Sequence, residues 1–281
     1  MTGGTIQTHP RQWPLGTSTA LFPGGLTEER LVEAKAAGIE CLEFVAKAGS
    51  AQGDDDYDFL ADRARELGMS VWSVHLPFGR DRDISSTDAE VRRLWIEQNT
   101  QIMERAVKWG VAKAILHPSY EPISADERPE RMRHAMDSLR RLADEADRLG
   151  VQIAVECLPR TCLGNTSEEI LDLLDAHPSL GVCCDVNHLL HETPQAFIEA
   201  VGPHIVSLHI SDYDGLDEKH WLPGRGVIDW NAVLRALARA GYDGPFMYEV
   251  VNRKTEEAEP ITPQRLAEVW VSLKESYDRD N

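Results

Sequence analysis

The chain has 281 residues, a formal net charge of −18, 42% hydrophobic residues and 27% charged ones, the balance of a soluble globular protein. Its apolar runs are too short and interrupted for a transmembrane helix, and the N-terminus MTGGTIQTHPRQWPLG lacks the basic-then-apolar order of a secretory signal. So acidic a surface disfavours nucleic acid as a partner, but it leaves a small anionic ligand open, because a local basic pocket outweighs a distant screened field.

The strands expected in chain order are 15–20, 39–45, 69–77, 112–118, 151–159, 180–186, 204–211 and 244–250. They are rich in Val, Ile, Leu and Cys and do not alternate strictly, which suits parallel strands buried on both faces. Helices are expected between them. The segment 88–109 puts Val91, Leu94, Trp95, Ile102, Met103 and Ala106 on one face. Thr87 with Glu90, Ser124 with Glu127 and Thr166 with Glu169 have capping-box spacing, and Pro194 and Pro263 follow Thr193 and Thr262 as first helical residues. Gly38, Gly68, Gly110, Gly150 and Gly241 mark helix stops that lead straight into the next strand.

Eight strand–helix units without a linker predict a single (β/α)8 TIM-barrel domain over 1–281. A doubly wound sheet would use fewer strands and a Gly-rich loop after the first, and LFPGG lacks the GxGxxG pattern. Cys41, Cys157, Cys162, Cys183 and Cys184 are odd in number and show no CxxC spacing, so they are expected to be reduced in a cytoplasmic protein. Cys183 and Cys184 should face opposite sides of their strand, and all five read as apolar filler, with Cys157 or Cys162 the only candidates for reactivity.

Barrel sites are built at the C-terminal strand ends. There this chain places His75, His117, Glu156, Asp185, His188, His209, Asp212 and Glu249. Each alone would be a hydrogen-bonded structural residue. Several carboxylates buried together cost several kcal/mol unless a cation neutralises them, so a divalent metal is expected. The predicted ligands are Glu156, Asp185, His209 and Glu249, an oxygen-rich set that suits Mn²⁺, with Mg²⁺, Co²⁺ or Zn²⁺ as alternatives. Glu43, late in the second strand, is expected to make a structural hydrogen bond.

The runs SVHLPF, ILHPS, VECLPR, CDVNH, SLHISD, LPGRGVIDW and GYDGPFMYEV resemble the xylose isomerase-like TIM barrels grouped as sugar phosphate isomerases and epimerases. Similarity to the ketose 3-epimerases implies that Glu156 and Glu249 bind the metal and act as acid and base on opposite faces of a sugar or keto-sugar. It also implies that Asp185 and His209 complete the metal shell, and that His188 and Arg225 touch substrate. Those epimerases carry a second glutamate six residues after the first, where this chain has Cys162. The implied reaction is isomerisation or epimerisation by proton transfer next to a carbonyl, through an enediolate held by the metal. A keto-sugar dehydratase or lyase is the alternative on the same site. Relatives commonly form homo-oligomers. No membrane partner is expected.

A more distant resemblance is to endonuclease IV, which implies three zinc ions and a phosphodiesterase. His75, His117 and His188 match its ligands, and Glu218-Lys219-His220 nearly matches its Asp-x-His pair. In the single-metal reading His75, His117 and His220 become donors to sugar oxygens. Trp221, in the long loop after the seventh strand, is weighed equally as a stacking surface for the sugar and as ordinary loop packing.

Overall fold

The structure is a computed structural model that describes residues 7–47, 55–252 and 260–280. Eight strands run in parallel: β1 (Leu15–Ser18), β2 (Cys41–Val45), β3 (Ser70–His75), β4 (Lys113–Leu116), β5 (Gln152–Glu156), β6 (Gly181–Asp185), β7 (Ile205–His209) and β8 (Phe246–Tyr248). Each neighbours its successor, and β1 also pairs with β8. The ring closes between β7 and β8 through an Ile210–Tyr248 bridge, in which Ile210 N–H donates to Met247 O at 2.9 Å and Glu249 N–H to Ile210 O at 3.1 Å. This is the predicted TIM barrel.

The helices are α1 (Glu28–Ala36), α2 (Asp55–Glu66), α3 (Ala89–Ala106), α4 (Arg128–Leu149), α5 (Ser167–Leu174), α6 (Pro194–Val201), α7 (Trp230–Ala240) and α8 (Pro263–Asp280). Gly110, Gly150 and Gly241 end helical segments with positive φ, as their position after KW, RL and RA predicts. Thr193 caps α6 ahead of Pro194, and Thr166 caps α5, accepting from Glu169 N–H. The Glu169 carboxylate does not return to Thr166; it takes Arg128 and the Gly164 N–H instead. Ser124 and Glu127 do exchange both capping-box bonds, one turn ahead of α4. At α3 the cap is Asp88, not Thr87, because the Asp88 carboxylate accepts from Glu90 N–H at 2.9 Å. Leu94, expected on the buried face of α3, is 44% exposed, and Asn99 takes a buried place there.

Strand alternation divides the core in two. Residues facing the helices join one large apolar cluster, which contains Cys184. Ile115, Ala154 and Cys183 form a separate small cluster inside the barrel. Cys183 and Cys184 therefore face opposite sides, as a strand requires. The inside positions also aim the site: His117, Glu156 and Asp185 each stand two residues after a member of the inner cluster, so they share its face one layer higher. The described cysteines are all buried and unpaired. Burial pushes the Cys162 thiol up to about 12 and Cys157 well above its ordinary value, which makes both poor nucleophiles.

Candidate active site

Glu156, at the end of β5, is the centre of the strand-end cluster. Its Oε1 lies 3.1 Å from His209 Nδ1 and 3.5 Å from His188 Nδ1, and its Oε2 lies 3.1 Å from both His75 Nε2 and His117 Nε2. Burial alone would raise the pKa of this carboxyl, but His117 and His209 hold it well below its ordinary value. Glu249 faces the opposite balance. Burial, reinforced by Asp185 and Glu156 and offset in part by His209, raises it to about 8.

Donor atoms of Glu156, Asp185, His209 and Glu249 all lie within 4.8 Å of one another. Asp185 Oδ2 and Glu249 Oε2 are buried without a well-directed hydrogen bond, although His188 Nδ1 stands 3.2 Å from the first and His209 Nδ1 3.3 Å from the second. A buried carboxylate oxygen without a full hydrogen bond costs about 1–3 kcal/mol, and two such oxygens in one cluster could be served by a cation. The histidine is oriented for that task. His209 Nε2 lies 3.0 Å from Glu43 Oε1, and Ser73 Oγ donates to Glu43 Oε2 at 2.7 Å. A proton on Nε2 satisfies Glu43 and leaves the Nδ1 lone pair facing Glu156, Glu249 and Asp185. The expected structural hydrogen bond of Glu43 thus exists and holds a ring of the cluster.

Besides His75–His209–Glu249, which shares two members with the first, two further donor groups adjoin it. His75, His117 and Glu156 form one, and His188, Glu218 and His220 form the other, each within the same 4.8 Å limit. His188 Nδ1 is 3.1 Å from Cys157 O and its Nε2 is 3.2 Å from Glu218 Oε2. Burial opposes charge on His188, yet Asp185, Glu218 and Glu156 raise it to about 10. His75 is raised to about 9 against the same burial penalty, chiefly by Glu156. Burial instead lowers His117 and His220.

Above the cluster opens a cavity of about 310 Å³. Of the predicted site residues, His75, His117, Glu156, His188, His220 and Glu249 line it, while Asp185 and His209 lie fully buried at its floor. Trp221 and Arg225 do not line it. The Trp221 backbone pairs with Asp212, the Arg225 guanidinium sits 5.8 Å over the indole, and Arg225 lines a different cavity with residues of the α8 entrance. Local chain geometry turns them away: the PGRG turn folds back onto Asp212, whose carboxylate accepts from Tyr213, Gly224 and Ile228 N–H and from Trp230 Nε1. At Gly226 a Cβ would meet Tyr213 O at 2.0 Å and Asp212 Oδ1 at 2.3 Å. The HISD and PGRGVIDW runs are therefore two halves of one hydrogen-bonded loop base.

Other contributors went unsuspected in the sequence. Asn187 accepts the Lys219 and His220 N–H groups on its Oδ1, and its own N–H is received by Asp185 Oδ1 at 2.8 Å. Phe78 and Arg160 line the cavity. Arg160 and His220 are the non-glycine residues at positive φ among those described, 52° and 54°, a strain of about 1–3 kcal/mol each that such positions carry at working sites. A β-branched or apolar pattern carries no signal for any of these, since each depends on which loop lies opposite.

A parallel barrel with a carboxylate and histidine cluster at its strand ends defines a metal-competent TIM barrel of the enzyme type. The family model described as xylose isomerase-like TIM barrel matches residues 31–270, and the chain belongs to that family. It is 30% identical over 249 residues to uncharacterized protein MJ1311 of Methanocaldococcus jannaschii, covering 84% of this chain and 83% of that one. It is 26% identical over 280 residues to L-ribulose-5-phosphate 3-epimerase UlaE of Shigella boydii, covering 94% and 95%. Among solved structures, a D-tagatose 3-epimerase-like protein superposes with a TM-score of 0.81 at 22% identity, covering 95% of this chain and 99% of that one. The chain is thus related to sugar epimerases.

Proposed function

We propose that the protein is a divalent-metal-dependent enzyme that epimerises or isomerises a sugar or keto-sugar by moving a proton next to a carbonyl. The observation that carries this reading is the convergence of donor atoms from Glu156, Asp185, His209 and Glu249 within 4.8 Å of one another, with Asp185 Oδ2 and Glu249 Oε2 buried and without a well-directed hydrogen bond. Those four residues would hold the ion, and the three carboxylates favour Mn²⁺ over a structural zinc. When bound, the ion would polarise the substrate carbonyl and neutralise charge that develops on its oxygen. Glu156 and Glu249 are the proton carriers: one takes the C–H proton beside the carbonyl, and the other returns a proton to the opposite face for epimerisation. His75, His117, His188 and His220 line the cavity and would bind hydroxyls. Kinship with an L-ribulose-5-phosphate 3-epimerase supports the reaction class. Elimination of a leaving group β to the same carbanion is a lyase reaction with an identical first step, and product analysis separates the two.

A second reading has its own support. The donor groups His75–His117–Glu156 and His188–Glu218–His220 are enough for two more ions, which is the requirement of a multi-zinc phosphodiesterase. Net charge −18 weighs against a nucleic-acid substrate. Metal counting divides the readings: one ion per chain supports the epimerase, three zincs the phosphodiesterase. The direct test is hydrogen–deuterium exchange at carbon in D₂O over a keto-sugar panel with Mn²⁺. Metal-dependent exchange, lost in Glu249→Gln, is the expected result. Its absence across the panel, with hydrolysis of a phosphodiester instead, would overturn the proposal.

A further inference from the structure

The loops after β4, β5 and β7 meet at one guanidinium on the cavity wall. Arg160 Nε donates to Glu121 Oε1 at 2.7 Å, Nη1 to Asp217 Oδ1 at 2.5 Å and Nη2 to Glu218 Oε1 at 3.1 Å. Glu218 also reaches inward: its Oε2 lies 3.2 Å from His188 Nε2, and its side chain, 26% exposed, lines the cavity. The chain just beyond it is fixed as well, because Asn187 Oδ1 accepts the N–H groups of Lys219 and His220. Glu218 is thus held by two side chains beside an anchored backbone, so the ordering of a long side chain is complete before a ligand arrives.

Two histidines of the same cavity have less to offer. His75 Nδ1 lies 2.9 Å from Leu76 O and its Nε2 3.1 Å from Glu156 Oε2. His188 Nδ1 lies 3.1 Å from Cys157 O and its Nε2 faces Glu218. Both nitrogens of each ring are turned to protein atoms, and an imidazole nitrogen makes one hydrogen bond. A carboxylate oxygen has two lone pairs. Glu218 Oε1 uses one toward Arg160 and Oε2 one toward His188, which leaves acceptor capacity on a side chain that lines the cavity. Arg160 at this range keeps the carboxylate ionised, and hydrogen bonds to an ionised acceptor are about twice as strong as neutral ones. The His188 ring separates Glu218 from Glu156, whose Oε1 is 3.5 Å from Nδ1, so Glu218 meets a part of the substrate away from the reacting carbon. A neutral hydroxyl there is indifferent to the mixed charges of the wall, and a placed acceptor is what selects it.

We propose that Glu218 is a specificity-determining residue of the site: its carboxylate accepts one substrate hydroxyl outside the reacting pair of carbons, and Arg160 is the positioning residue that holds it there. This rests on the proton-transfer reading above, and it gives Glu218 to the substrate and not to a metal ion. A site built to receive a hydroxyl rejects the analogue that lacks it.

The test uses metal-loaded protein and a panel of ketopentoses and ketohexoses, each beside its analogues deoxygenated or fluorinated at one carbon outside the reacting pair. Binding is read by calorimetry and chemistry by deuterium exchange at carbon. In the wild type, deoxygenation at one of these positions should cost about tenfold or more in kcat/KM. Fluorine, which supplies no donor, should cost the same. In Glu218→Ala that penalty should fall to within about threefold, with the penalties at other positions unchanged. Glu218→Gln, which keeps the packing, should lose part of it. Arg160→Ala should narrow the same penalty, and Arg160→Lys should restore part of it. Melting temperature and bound metal are recorded for every variant, and wild-type metal content is expected throughout. A wild type with no such penalty at any position overturns the assignment and leaves proton transfer standing. So does an undiminished penalty in a folded Glu218→Ala or Glu218→Gln variant, or the loss of one metal ion per chain, which would make Glu218 a ligand. An undiminished penalty in Arg160→Ala removes Arg160 from its role. No exchange with any sugar of the panel overturns proton transfer and this assignment together.

Discussion

His209 and Glu43 are joined at 3.0 Å, Nε2 to Oε1, on the side of the imidazole away from Glu156. Glu43 is wholly buried, and burial pushes its carboxyl up, but His209 and Ser73 hold it below its ordinary value. A carboxylate behind a metal-binding imidazole fixes the tautomer and strengthens the ligand. Glu43→Gln should therefore weaken metal binding by about 10–100-fold with the fold retained. Competitive titration with a metal indicator checks this, and an unchanged affinity would show that Glu43 is only packing.

Metal binding should also depend on pH with a definite sign. In the metal-free protein, burial raises Glu249 to about 8, and His209 is raised well above its ordinary value by its acidic neighbours despite burial. The folded state then holds more protons than the unfolded one between about pH 4.5 and 8, so this stabilisation is present below 4.5 and lost as pH rises through 8. An ion needs the deprotonated donors, so affinity should rise with pH up to about 8, by roughly tenfold per unit or more, with protons released on loading. A dissociation constant that stays flat from pH 6 to 8 would count against this site.

Asp212 anchors the base of the loop after β7. Asp212→Ala would strand Tyr213, Gly224 and Ile228 N–H groups and the Trp230 indole N–H. Stranded buried donors cost about 1–3 kcal/mol each, partly relieved where water enters. The expected loss is several kcal/mol in chemical denaturation, with little change in metal affinity for the molecules that remain folded. Gly226→Ala should destabilise in the same assay, because its Cβ would lie 2.0 Å from a backbone oxygen.

Asn187 links the carboxylate–histidine cluster to the loop above it. It donates to Asp185 Oδ1 and accepts from the Lys219 and His220 backbone. Asn187→Ala should leave metal affinity within a few-fold, since its backbone N–H survives, and should raise KM by about tenfold as the 219–220 segment loses its anchor. Amide exchange of residues 213–222 should speed up in the variant. A fall confined to kcat would place Asn187 in the chemistry instead.

The barrel was legible because buried parallel strands and Gly-ended helices leave a strong pattern. Every expected strand is present, yet each was read too long: 151–159 is Gln152–Glu156, and 204–211 is Ile205–His209. The extra residues, such as Ile39 and Leu158, are apolar and buried although they do not sit in a strand. Burial pattern alone does not distinguish pairing from packing. Glu156, Asp185 and His209 each end a strand and Glu249 directly follows one, so the convergence of these four could be expected from barrel geometry. Trp221 and Arg225 belong to a loop whose fold depends on Asp212 and Gly226 many residues apart, and no local rule turns them toward or away from the cavity. Asn187, Arg160 and Glu121 act across loops, so their roles emerge only once the loops are neighbours.

The loop after β7 is held at its root by Asp212, at residues 219–220 by Asn187 and at its tip by Arg160. The root bonds involve the turn and α7, and the tip bonds involve only ion pairs with another loop. Asp217, half exposed at the tip, can therefore vary while the Asp212 root stays in place, whereas Glu218 is tied to His188 below it. The loop keeps a constant base and a drifting rim, joined through one residue that answers to both.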